Sequence, residues 1–235
     1  MSKLPNYASN VSRVKRVEME GHDLLEQDPC FVAQTIASFA WEVDNGVSGN
    51  PFAFPDSSKP ENVGGVLTKQ TISDANAVCA DGSGAVYYKA ASTSGTKDWL
   101  VFFEGAGEAR PMACTTPVEC AAWLALNPHL SGSATAQGAL AFPTTLPGSG
   151  ILSQATCENP SFASYNLVYV PYCSGDAWQA DAAASLATGG AHLRGDRIFK
   201  AVLATVLADS DLTTSSKLVV AGEGAGAVAV SSHQA

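Results

Sequence analysis

Trp99-Leu100-Val101-Phe102-Phe103 is an unbroken apolar run that stops sharply at Glu104 and Gly105. A run of this length is what a strand buried on both faces requires. Leu167 to Tyr172 and Lys217 to Ala221 have the same character, and Ala85 to Lys89 predicts a further strand. Between the last two buried runs, Ile198, Phe199, Val202, Leu203, Val206 and Leu207 recur at helical spacing, with Arg194 and Asp196 near the start. A second helix is predicted over Ala225 to Ser232. Buried strands separated by helix predict an α/β fold with a mostly parallel sheet flanked by helices. Upstream of Ser73 the pattern is faint. A helix is expected around Phe31 to Trp41, and Asp44 to Val63, rich in Gly, Pro, Asn and Ser, reads as loop.

Composition supports a packed core. Of 235 residues, 46% are hydrophobic and 15% charged, against about 25% charged in an ordinary soluble domain. Lys+Arg number 13 and Asp+Glu 22, a net charge of −9. Nucleic acid and anionic membrane surfaces both require a basic footprint, so neither is an expected partner. No apolar run is long enough to span a bilayer. The segment from Met1 to Glu20 carries Lys3, Arg13, Lys15 and Arg16 with no apolar stretch behind them, so a secretory signal is not expected within it. The six cysteines are Cys30, Cys79, Cys114, Cys120, Cys157 and Cys173. None forms a C-x-x-C pair and no His stands at zinc-ligand spacing, so no metal site is expected and buried thiols or disulfides remain.

In open α/β sheets, ligands bind beyond the carboxyl ends of the strands. Two glycine-rich turns lie there: Glu104-Gly105-Ala106-Gly107, and Gly222-Glu223-Gly224-Ala225-Gly226-Ala227. The second fits G-x-G-x-x-A, a dinucleotide fingerprint, but the acidic residue expected about 20 positions later falls past Ala235. It also has the strand, tight turn and helix of the G-x-S-x-G nucleophile turn, with Gly224 at the serine position. A third reading is a turn that only lets the helix pack closely on the sheet.

A set of ordered motifs changes the weight of these readings. They are Asn76-Ala77-Val78-Cys79-Ala80-Asp81-Gly82-Ser83, Tyr87-Tyr88, Trp99 to Gly105, Gly150-Ile151-Leu152-Ser153, Asn159-Pro160-Ser161-Phe162 with Tyr165-Asn166, and Val168-Tyr169-Val170-Pro171-Tyr172-Cys173-Ser174-Gly175-Asp176-Ala177-Trp178. Together with Arg194-Gly195 and Gly222 to Gly226, they resemble the pectin acetylesterase and Notum carboxylesterase family over residues 76–230. The Pro-Tyr-Cys-Ser-x-Asp-x-Trp wording is closer to the Notum branch. Residues 1–75 carry no resemblance, so the chain is expected to divide into an N-terminal segment, 1–75, and a partial esterase domain, 76–235.

The resemblance implies an α/β-hydrolase-like fold and two-step acyl transfer by a serine, a histidine and an aspartate. It implies an ester substrate, an acylated glycan or a lipid-acylated protein, no cofactor, and a secreted or endomembrane setting. Backbone N–H groups of Ala106 or Gly107, with that of Ala225, would form the oxyanion hole. Asp176 and Trp178 would shape the substrate pocket or brace the strand end. Glu104 would be a hydrogen-bonded structural carboxylate, and Glu223 would point away from the substrate. Cys114, displaced by an insertion from the family's position at Ala109, would pair with Cys120. Two departures stand out. Gly224 occupies the nucleophile position. The family's aspartate and histidine follow that turn, whereas this chain stops at Ala235, so the C-terminal part of the fold is expected to be missing. His233 is expected to be an exposed terminal residue and not a base, and His22, His129 and His192 to be packing residues. The functional expectation is a carboxylesterase homologue inactive as written. The alternatives are an acyl- or glycan-binding module without turnover and, third, nucleotide binding at Gly222 to Ala227.

Overall fold

The structure, a computed structural model, describes residues 64–106, 113–126, 142–208 and 216–233. The expected helix around Phe31 to Trp41, the loop at 44–63, Gly107, His22 and His129 lie outside them.

Six strands make one sheet: β1 (Val66–Thr71), β2 (Val86–Ala90), β3 (Trp99–Phe103), β4 (Thr145–Pro147), β5 (Asn166–Val170) and β6 (Leu218–Gly222), in the order β4-β1-β2-β5-β3-β6. Three helices accompany it: α1 (Pro117–Leu126), α2 (Gly195–Leu207) and α3 (Ala225–Ser232). The α/β class is as expected, but the sheet is mixed. β3 runs parallel to both β5 and β6, whereas β1 is antiparallel to β2 and β4, and β2 is antiparallel to β5. The parallel half is the half built from unbroken apolar runs and reached through a helix, as parallel crossovers require.

The runs predicted at Ala85 to Lys89, Trp99 to Glu104, Leu167 to Tyr172 and Lys217 to Ala221 are strands β2, β3, β5 and β6, each within a residue or two of the predicted limits. β3 is enclosed at every residue but Phe102, which is half-buried, because its alternate side chains serve two cores. Trp99, Val101 and Phe103 pack with Val168, Val170 and the α2 face of Ile198, Phe199, Val202 and Val206. Leu100 packs on the opposite side with Leu167, Tyr88, Ala90 and Leu67. Leu207, counted with the helical face, is instead 60% exposed in the last turn of α2.

Three elements escaped the sequence pattern. β1 buries only Leu67 fully, so its polar Thr-Lys-Gln-Thr tail carries no strand signal. It precedes residue 76 and is hydrogen-bonded to β2 through Thr68 to Thr71. β4 is three residues long. α1 did have a signal, Thr116-Pro117-Val118-Glu119, which is a capping box with proline at the first helical position. The Glu119 N–H donates to Thr116 Oγ1 at 3.2 Å while Glu119 Oε2 accepts from the Thr116 N–H at 3.1 Å. Hydrogen bonds from the Thr115 hydroxyl and N–H hold the Glu119 carboxyl below the ordinary range.

Cys114 and Cys120 form the expected disulfide. Cys79 pairs with Cys173 across 94 residues, and Cys157 is also disulfide-bonded.

Candidate functional site

β3 and β6 are adjacent and in register, with Phe103 opposite Gly222. Both glycine turns therefore leave the sheet side by side. The Glu223 N–H reaches the Phe103 carbonyl at 3.3 Å, and the Gly226 N–H turns back to the Glu223 carbonyl at 2.7 Å. This closes the reversal from β6 into α3. The approach is closer than side chains permit. A Cβ on Gly222 would stand 2.5 Å from the Gly226 carbonyl carbon, and one on Gly226 would stand 2.6 Å from the carbonyl carbon of Phe103. Gly222 and Gly226 are thus required by space.

Gly224 differs. Its φ of 49° and ψ of −116° lie where side chains are strained, yet an added Cβ would meet only the Gly105 Cα, at 3.6 Å. The turn holds the sharp, strained backbone that presents a side chain at its apex, and the side chain is missing. Ala225 is the first residue of α3 and fully buried, and Ala106 is 4% exposed. Among the described residues neither N–H has an acceptor; for Ala225 this is usual, since it lies in the first turn of a helix.

Glu104 is the structural carboxylate expected: its Oε2 accepts from the Tyr172 N–H at 2.7 Å. The Tyr169 hydroxyl is pushed far above its ordinary value, chiefly by burial, then by the charge of Glu104, to which it hydrogen-bonds, and by that of Glu223. Tyr169 packs in the core opposite α2 and α3.

Asp176 and Trp178 support the turns from beneath. Asp176 is 6% exposed and gathers four donors: the Ser174 hydroxyl at 2.6 Å and the N–H groups of Trp178 at 3.0 Å, Ala180 at 3.1 Å and Gly195 at 2.8 Å. It ties the loop after β5 to the first turn of α2. Burial pushes its carboxyl up, against the pull of those hydrogen bonds. Trp178 has no exposed surface. Its ring packs edge-on against Phe103, centroids 5.4 Å apart, and its Nε1 donates to the Glu104 carbonyl at 3.1 Å. Ala177 and Trp178 both take positive φ, 53° and 63°, in the turn that points Trp178 inward. Gly195 is needed for the same junction, because a Cβ there would lie 2.4 Å from the Trp178 Cα. Asp176→Asn replaces an acceptor oxygen by an amide that cannot accept, so we expect a loss of about 2–3 kcal/mol in urea denaturation. A loss below about 0.5 kcal/mol would deny the carboxylate this bracing role.

Ser174 is fully buried against the Asp176 carboxylate and is no substitute nucleophile. The His192 ring packs against Gly82. His233, expected to be exposed, is not. Its side chain is 17% exposed, stacks on Phe199 with centroids 4.2 Å apart, and places Nε2 2.8 Å from Asp196 Oδ1. Helical spacing alone gave no sign that His233, at the end of α3, would come against Asp196 and Phe199 of α2. Among the described residues no group of three or more His, Cys, Asp or Glu is placed to hold a metal ion, and no helix is long and apolar enough to cross a membrane.

The sequence pattern that defines the pectinacetylesterase family matches residues 59–235. The chain belongs to the pectinacetylesterase family. It is 32% identical over 152 residues to the palmitoleoyl-protein carboxylesterase notum1' of Xenopus laevis, covering 65% of this chain and 28% of that protein. Pectin acetylesterase 11 of Arabidopsis thaliana is 30% identical over 159 residues, covering 67% and 37%. The inactive palmitoleoyl-protein carboxylesterase notum1b of Danio rerio is 35% identical over 109 residues, covering 46% and 70%. The crystal structure of the Wnt deacylase Notum from Drosophila superposes with a TM-score of 0.61 at 27% identity, over 71% of this chain and 45% of that one. The chain thus spans about 28% of the length of the curated Notum relative from Xenopus. The family read from residues 76–230 is the family shown, and the matched region begins earlier, at residue 59.

Proposed function

We propose that this chain carries the framework of a carboxylesterase site but does not hydrolyse esters. One observation carries the reading: Gly224 holds the strained apex of the strand-to-helix turn without a side chain to attack a carbonyl. A lost serine nucleophile costs on the order of 10⁶ in turnover in the subtilisin case. The N–H groups of Ala225 and Ala106 would still face a carbonyl oxygen. Purified protein is expected to hydrolyse p-nitrophenyl acetate and p-nitrophenyl octanoate no faster than buffer and to take no fluorophosphonate label. Labelling of any serine would place the nucleophile elsewhere and end the reading.

Gly224→Ser gives a sharper result. The turn has room for the side chain, so the variant should fold, yet no described histidine can serve it as base. His233 lies nine residues further on, about 13 Å along the helix at 1.5 Å per residue, with both ring nitrogens engaged. We expect no turnover from this 235-residue chain, since serine without a base is a poor nucleophile at neutral pH. Ester hydrolysis by Gly224→Ser would reveal a base within these residues.

The unused Ala225 and Ala106 N–H groups favour a second reading, a site that binds an acyl group on a glycan or protein and does not cleave it. Saturable binding of octanoate or of acetylated oligogalacturonide, without product, would distinguish that module from a silent homologue. The disulfides Cys79–Cys173 and Cys114–Cys120 support a secreted or endomembrane-lumen location, where such bonds form and persist.

A further inference from the structure

The two outer strands of the sheet, β4 and β6, are unequal. β4 is three residues long and ends in Pro147, which are the features of an edge that resists pairing. β6 has neither. Its five residues, Leu-Val-Val-Ala-Gly, carry no charge or proline, and all are half-buried where those of β3 are mostly enclosed. The Trp99 N–H donates to the Lys217 carbonyl at 2.8 Å, and the Glu223 N–H to the Phe103 carbonyl at 3.3 Å. Strand alternation between these two bonds turns the backbone groups of Val219 and Ala221 towards β3 and those of Leu218, Val220 and Gly222 away from it. Among the described residues no strand pairs with that outer side. We propose that β6 of one copy of this chain pairs antiparallel with β6 of a second copy, across a two-fold axis at Val220, joining two sheets into one.

The strand is complementary to itself in this register. Val220 faces Val220, Leu218 faces Gly222 and Val219 faces Ala221, so every outward N–H of one copy meets an outward carbonyl of the other. The flanking residues decide that the occupant is a second copy. Lys217 precedes the strand and Glu223 follows it, both are exposed, and among the described residues neither is in an ion pair. Antiparallel pairing about Val220 sets Lys217 of each copy opposite Glu223 of the other. Both lie at the same parity as Val219 and Ala221, so they project on one face of the sheet, as a cross-strand pair must. A two-fold axis through Val220 also brings the two α3 helices to a common face. α3 packs with Leu218 and Val220 and has no charged side chain among Ala225 to Ser232, so the copies present no like charges there. The pairing does not depend on any reaction at Gly224.

Sedimentation equilibrium of the 235-residue chain at micromolar concentrations should show twice the monomer mass. Lys217→Glu sets a carboxylate against Glu223 at both symmetric ends, and Glu223→Lys sets an ammonium against Lys217. Both side chains are exposed, so each variant should fold. Each should dissociate about tenfold more readily than the unsubstituted chain, since like charges replace opposite ones in both cross-strand pairs. Mixed in equal amounts, the two variants should regain the unsubstituted affinity, because every pair then holds one lysine and one glutamate. Hydrogen exchange should find the Leu218, Val220 and Gly222 amides slow in the dimer and fast on dilution. A chain that stays monomeric overturns the proposal, and slow exchange at Val220 in that monomer would assign the edge to another segment of the same chain. A dimer that is indifferent to either charge reversal, or that the mixture does not restore, overturns it equally.

Discussion

Gly226→Ala should abolish stable folding or cost more than about 4 kcal/mol, a loss seen only when a core is disrupted. The added methyl would lie 2.6 Å from the Phe103 carbonyl carbon, on a strand hydrogen-bonded on both sides, to β5 and β6. Neither partner can yield easily: Phe103 is fully buried and Gly226 is the second residue of a helix whose Ala225 and Ala229 are also fully buried. The informative control is two residues away. Gly224→Ala meets nothing closer than 3.6 Å, so it should cost only the positive-φ strain of about 1–3 kcal/mol. Guanidinium unfolding of both variants measures the contrast. A Gly226→Ala midpoint close to that of Gly224→Ala would mean that β3 and α3 separate readily and that the turn is not a fixed scaffold.

Replacing both Cys79 and Cys173 by Ala should cost about 4–5 kcal/mol, by the loop-closure entropy of a ring near 100 residues. The pair joins the segment ahead of β2 to the end of β5, a sequence separation of 94. Both cysteines are buried, at 0% and 1% exposure, so lost packing adds to the entropy term. Domains of this kind have about 5–15 kcal/mol in total, which leaves the double variant close to unfolding at 37 °C. The same replacement at Cys114 and Cys120, separated by 6, should cost less than about 3 kcal/mol. Denaturation midpoints that rank the two pairs in the opposite order would show that the short ring, not the long one, limits the unfolded chain.

Gly224 could be placed at the apex of a strand-to-helix turn from residue order alone, because an apolar run, a glycine-rich turn and a helical stretch follow one another there; the need for Gly226 was not legible, since the carbonyl it must avoid belongs to Phe103 on β3. Asp176 was legible as a motif residue but not in its role. Its four donors come from Ser174, Trp178, Ala180 and Gly195, and the last is brought to it only when α2 docks. His233 was misread as exposed for the same reason. Its partners Asp196 and Phe199 lie 37 and 34 positions earlier, on another helix.

By itself the sequence determined the strands β2, β3, β5 and β6, the helices α2 and α3, and the two glycine turns. Each is written in neighbouring residues, as an apolar run, a helical period or a small-residue turn, and needs no distant partner to be recognised. Only the tertiary structure decided the antiparallel half of the sheet, the Cys79–Cys173 pairing, the bracing by Asp176 and the burial of His233. β1 has one fully buried side chain and β4 is three residues long, so both gain their strand character from hydrogen bonds to neighbours and not from their own periodicity. Such long-range pairings depend on the free energy of the assembled chain, where burial and satisfied hydrogen bonds outweigh the entropy of closing long loops.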